Sequence, residues 1–159
     1  MIMKARYSVD TVSSYIIKYS DEHFGGVSNL RLQKLLYFVQ VEFIKTFNEA
    51  AFKEEIVAWS FGPVVPEIYR KYKVFGRENI LINRDSDARL PFWVDTLDSQ
   101  IGEDDAKVID KVLNEASDIS TAELVRISHV QDPWRNAYYR SENKDKLITK
   151  KAIYNYFVG

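Results

Sequence analysis

No cysteine occurs among these 159 residues, which excludes a disulfide framework, a thiol nucleophile and every Cys-containing zinc site. Histidine is nearly as scarce. With only His23 and His129 in the chain, the supply of metal ligands is thin, and neither a metal site nor a cofactor is expected. No apolar run approaches the roughly 20 residues that span a bilayer, and the first residues lack the apolar core of a signal peptide, so no membrane contact and a cytoplasmic location are expected. A formal net charge of −1 gives no whole-chain electrostatic case for nucleic acid. Gly25-Gly26 lacks the further glycines and the Lys of a phosphate-binding loop.

What the chain does contain is a globular balance, 46% hydrophobic and 28% charged, with ten Tyr, nine Phe and three Trp. Aromatics in that number fill a core and leave candidates for a contact surface, where Tyr and Trp are favoured. The length suits one domain spanning residues 1–159.

Periodicity predicts a mainly α fold with a minor β element of one or two short strands. Ser8 caps a helix carrying Val12, Ile16 and Tyr19 that stops before Gly25-Gly26. Ser28 opens the strongest helix, in which Leu32, Leu35, Leu36, Val39 and Phe43 share a face. Its polar residues Gln33, Lys34, Gln40 and Lys45 are then expected to face away from the core, with Gln33 and Lys34 solvated. The β-favouring run Glu55–Ser60 predicts a strand entering a turn at Gly62-Pro63. A helix follows from Pro66 to Gly76, then a second short strand at Ile80–Ile82 and a loop at Arg84–Arg89. Further helices are predicted over Glu103–Ser117, from a Ser120/Glu123 capping box, from Asp132 as N-cap with Pro133 at N1, and from Thr149 to Phe157.

Chemistry is sparse. His129 with Asp132 three residues on is the one acid-base pair worth weighing, but no nucleophile motif accompanies it, so His129 is expected to be structural and no catalytic residue is assigned. Glu54 and Glu55 fall on opposite faces of a strand and are read as solvated. Arg70, Lys71, Lys73 and Arg77, and later Arg135, Arg140, Lys144, Lys146, Lys150 and Lys151, are local basic clusters. Their runner-up reading is a nucleic-acid surface in the C-terminal part; the other rival is a small enzyme centred on His129.

Three segments carry the most information: Leu32-Gln33-Lys34-Leu35-Leu36-Tyr37, Ala58-Trp59-Ser60-Phe61-Gly62-Pro63-Val64, and His129-Val130-Gln131-Asp132-Pro133-Trp134. In this order, with Pro66 and Tyr69 after the second, they resemble the Panacea domain family of SocA-like antitoxins and phage-associated GepA-like proteins. The resemblance runs from about Val9 to Phe157. Ser128 stands where the family usually has Thr, and Phe61 where Tyr is common. The resemblance implies an antitoxin, encoded beside a toxin or on a phage or mobile element, that neutralises its partner by direct contact rather than by catalysis. It also implies a ClpXP-type protease as a second partner, since adaptor activity occurs in the family. Partner contact is expected at Phe61, Gly62, Pro63, Val64 and Tyr69. The other motif residues, Leu32, Gln33, Lys34, Tyr37, Trp59, His129, Asp132, Pro133 and Trp134, are expected to be structural, with Trp59 anchoring the turn in the core.

Overall fold

The computed structural model describes residues 2–82, 100–140, 142 and 144–159. Along the chain run β1 (Ala5–Tyr7), α1 (Val9–Phe24), α2 (Asn29–Phe47), β2 (Ala50–Phe52), β3 (Ile56–Trp59), β4 (Gly62–Val64) and α3 (Pro66–Tyr72). After a 3-10 turn at Lys73–Phe75 come α4 (Glu103–Ala116), α5 (Thr121–His129), α6 (Asp132–Tyr139), β5 (Leu147–Ile148) and α7 (Lys150–Phe157). The fold is mainly helical, as predicted, with five short strands rather than one or two among the described residues. The loop expected at Arg84–Arg89 lies outside them.

Hydroxyl caps start four helices where the sequence places them. Ser8, Ser28, Ser120 and Thr149 each accept a backbone N–H three residues on, from Thr11, Arg31, Glu123 and Ala152. Each bond satisfies one of the donors that the first helical turn leaves unpaired. Two cap expectations need correction. Glu123 does not complete a capping box, because its carboxylate is drawn to the Arg126 guanidinium at 2.6 Å. Asp132 is not the N-cap of α6: Gln131 occupies that position and Asp132 is the first helical residue. Pro133 needs no N–H partner in the first turn, so the helix starts one residue early, where an acidic side chain still suits the dipole.

The strands form two small sheets. In one, β1 lies parallel to β2, with Ala5 opposite Ala50 and Tyr7 opposite Phe52; in the other the order is β4-β3-β5, all antiparallel. Strands of two or three residues show no alternation, so β1, β2 and β5 leave no periodic trace in the sequence. Ile80–Ile82 is not a strand. Asn79 makes an isolated bridge to Ser28, and the Ile80 N–H donates to the Val27 carbonyl at 2.8 Å. Glu54, read as solvated, accepts the Val9 N–H at 3.0 Å and so helps begin α1.

Helix α2 is the axis of the molecule, packed by α1, α3, α4, α5, α7, β2 and β4. It is therefore buried around most of its circumference, and the expectation that Gln33, Lys34 and Gln40 face away from the core is wrong: each is 1% exposed or less. Periodicity assigns a polar residue to solvent, but a helix surrounded by partners keeps little solvent side along its middle turns, so polar groups there must be bonded instead; Lys45, near its end, is exposed. Gln40 illustrates this. Its Oε1 accepts the Ala51 N–H at 2.7 Å and the Phe52 N–H at 3.3 Å, while Nε2 donates to the Phe52 carbonyl at 3.0 Å. The side chain thus ties the backbone of β2 directly to α2. Replacing Gln40 by Leu strands those backbone groups in the core and is expected to lower stability by about 1–3 kcal/mol, measured by urea denaturation.

Candidate functional site: the β3–β4 hairpin and its groove

The hairpin is a two-residue connection. Trp59 pairs with Gly62, so Ser60 and Phe61 form the tip, and Gly62-Pro63-Val64, predicted as the turn, is the returning strand. Gly62 has φ of +105°, in the region that favours glycine, and a Cβ there would lie 3.0 Å from Ser128 Oγ and 3.1 Å from Lys34 Cε and Nζ. Glycine is needed twice over: for the backbone conformation and for the close approach of α2 and α5.

Polar groups from α2 hold the hairpin from beneath. Lys34 Nζ donates to the Pro63 carbonyl at 2.6 Å, and Gln33 Oε1 accepts the Val65 N–H at 2.9 Å. Gln33 Nε2 donates to Asn29 Oδ1, whose Nδ2 donates to the Tyr69 carbonyl, each at 2.9 Å. The successive side chains Gln33 and Lys34 therefore fix β4 and the start of α3 to one helix. This is the structural meaning of the Leu-Gln-Lys segment.

Burial without a carboxylate partner lowers the Lys34 pKa from 10.5 to about 7. His129, at the end of α5, is also pushed down, first by burial and then by the Lys34 charge, while the Ser60 backbone favours its protonated form. Its Nε2 is buried and has no partner of hydrogen-bonding geometry among the described residues. The imidazole stacks on Trp134 at 4.0 Å, Trp134 stacks on Tyr138 at 4.7 Å, and Lys146 Nζ lies 4.3 Å from the Tyr138 ring centre. Trp134 Nε1 donates to the Trp59 carbonyl at 2.9 Å, so this ring ladder braces the hairpin from the other side. Asp132 does not orient His129. Its exposed carboxylate is 3.9 Å from Arg135.

Above this frame the hairpin offers a surface. Phe61 is 67% exposed at the tip, Tyr69 is half-buried, and Gly62, Pro63 and Val64 are buried. Trp59 does not anchor the turn in the core. Alternation along β3 sends Ile56 and Ala58 inward and leaves Trp59 half-buried, its ring edge-on to Tyr69 at 5.0 Å. Pro133 and Trp134 are buried, and so are Leu32 and Tyr37, whose hydroxyl donates to Gln131 Oε1 at 2.7 Å. A groove of about 690 Å³ runs beside the tip, lined by Trp59, Phe61, Val64 and Tyr69, by Leu30 from the start of α2, and by Lys73 and Arg77 beyond α3. Leu30 was not singled out from the sequence. Its one signal was an apolar residue off the apolar stripe of α2.

Of the basic clusters, many members have local partners. Lys71 pairs with Asp10 at 3.0 Å, Arg140 with Glu142 at 2.8 Å and Lys150 with Glu55 at 3.9 Å, while Lys146 donates to the Tyr138 carbonyl at 2.7 Å. Among the described residues, these bonds leave no continuous track of free cations in the C-terminal part to follow a phosphate backbone. Among the described residues, no helix is long and apolar enough to cross a membrane.

The model of the antitoxin SocA-like, Panacea domain matches residues 32–135, a span that takes in all three motif segments. The chain is 34% identical over 112 residues to antitoxin SocA of Caulobacter vibrioides (strain NA1000 / CB15N), an alignment covering 68% of this chain and 58% of that protein. The chain thus aligns with less than two thirds of the relative's length. No solved structure matches. With the Lys34, Gly62-Pro63 and His129–Trp134 segments meeting at one hairpin inside the matched span, the chain belongs to the SocA-like Panacea domain family, whose membership supports an antitoxin role.

Proposed function

We propose that this protein neutralises a cognate toxin by direct, stoichiometric binding through the hairpin face, with Phe61 and Tyr69 as the side chains that touch the partner and Gly62, Pro63 and Val64 as the rigid backbone that presents them. The observation that carries this reading is an aromatic tip, Phe61, held over an apolar groove by a frame of buried hydrogen bonds. A preorganised aromatic loses little conformational entropy on binding, which is what distinguishes an anchor from a merely exposed ring. The setting is a toxin-antitoxin pair or a phage or mobile-element locus. An adaptor step that passes the bound toxin to a ClpXP-type protease adds a second contact and is read separately, as protease-dependent loss of toxin from cells.

Co-expression with the product of the adjacent gene tests the central claim. The expected result is a stable complex of fixed stoichiometry that survives moderate salt. Rescue by substoichiometric amounts, with turnover of a modified toxin, sinks it in favour of an enzyme. Phe61→Ala and Tyr69→Ala should fold normally and weaken the complex by about 1–2 kcal/mol each, measured by calorimetry beside thermal melts. Unchanged affinity in both would place the contact elsewhere.

A further inference from the structure

We propose that the groove accepts a partner segment in which a large apolar side chain is flanked by carboxylates, an acidic-hydrophobic stretch of the toxin; this rests on the reading of the hairpin face as the toxin contact. The walls are apolar and aromatic where Leu30, Trp59, Phe61 and Tyr69 meet, and the volume suits one or two large side chains. The amides at the base are already committed, Gln33 and Asn29 to each other and to backbone. The floor therefore recognises apolar surface, and polar selectivity falls to the rim. There, among the described residues, the only charges lining the groove are Lys73 and Arg77, with no Asp or Glu opposing them. Both are exposed. Neither makes an ion pair among the described residues, whereas nearby Lys71 is held by Asp10. Two unopposed cations beside an apolar cleft complement a segment that brings its own negative charge, steering encounter and fixing register. A single-stranded nucleic acid is the less fitting occupant, because two cations on one rim do not track a succession of phosphates.

The test compares parent, Lys73→Glu/Arg77→Glu and Phe61→Ala in complex with the adjacent-gene product, by calorimetry at low and moderate salt. The parent is expected to lose affinity as salt rises. The double charge reversal should bind at least about tenfold more weakly at low salt, with the salt dependence flattened or reversed and the melting temperature unchanged. If the double variant binds like the parent while Phe61→Ala does not, the acidic flank is overturned and the hairpin reading stands. If both bind like the parent, the hairpin reading fails and takes this proposal with it; failure of the parent to bind at all removes both. Binding of an oligothymidylate probe by the parent that is lost on charge reversal, with toxin affinity untouched, overturns the proposal in favour of nucleic acid.

Discussion

Replacing Lys34 by Met should abolish a rise in stability between about pH 7 and about pH 10 that the parent protein shows. In the unfolded chain this amine titrates at its ordinary 10.5, and in the fold at about 7. Between those values the unfolded chain holds the proton and the folded chain does not, so unfolding takes up a proton and stability increases with pH. Below the lower value both states are protonated, and the full cost of a buried cation without a counter-ion remains. Three pH units at 1.36 kcal/mol each put the rise on the order of 4 kcal/mol. His129, lowered from 6.5, acts in the same direction at more acid pH. The Met variant removes the buried charge and also the donor to the Pro63 carbonyl, a loss of about 1–3 kcal/mol. At about pH 6 the relief of the charge is expected to match or exceed that loss. Urea midpoints across this pH range decide the matter: a parent curve that is flat above neutrality would show that Lys34 stays protonated in the fold.

Gly62→Ala is the second large effect. Alanine at φ of +105° is strained, and its methyl group would press on Ser128 Oγ at 3.0 Å and on the Lys34 side chain at 3.1 Å. Backbone strain and overpacking each cost about 1–3 kcal/mol, so a total of about 2–6 kcal/mol is expected. The Lys34 side chain is flexible but is tied to Pro63 on the same strand, so moving it breaks the bond that holds the hairpin. On the proposed hairpin contact, the variant should therefore lose partner affinity along with stability. A Gly62→Ala protein that melts like the parent would mean that the hairpin shifts freely on α2, contrary to the frame described above.

The parts of this architecture that are written locally were legible in the sequence. Ser8, Ser28, Ser120 and Thr149 start helices because the bond each makes is to a residue three positions away, within the reach of any reading of neighbours. Lys34 and Gln33 were not legible, since their partners at Pro63 and Val65 lie far along the chain. The strand β3 and a turn after it are legible, but the turn reads two residues late and the returning strand β4 does not show. Gly-Pro is strong turn chemistry, yet the pairing of Trp59 with Gly62 is settled by what lies beneath, where only Gly fits. Trp59 was misplaced for a related reason: strand alternation gives it the outer face, and tryptophan's preference for burial is met there by Tyr69 rather than by the core. The motif segments point to the hairpin as the candidate site, whereas the exposure that divides Phe61 from Pro63 and Val64 belongs to the third dimension.

The pairing of β3 with β5, Ile56 opposite Ile148, has a consequence for how the protein is made. The sheet that carries the hairpin gains its third strand only after Leu147–Ile148 has left the ribosome, and α7, made after it, still has to dock on α2. Contacts so distant in sequence form late, after the entropy of a long loop has been lost. A nascent chain stalled before Leu147 should accordingly be digested readily by protease at the hairpin. A chain interrupted before β5 therefore carries the hairpin without its third strand, and on the proposed contact it binds the partner poorly.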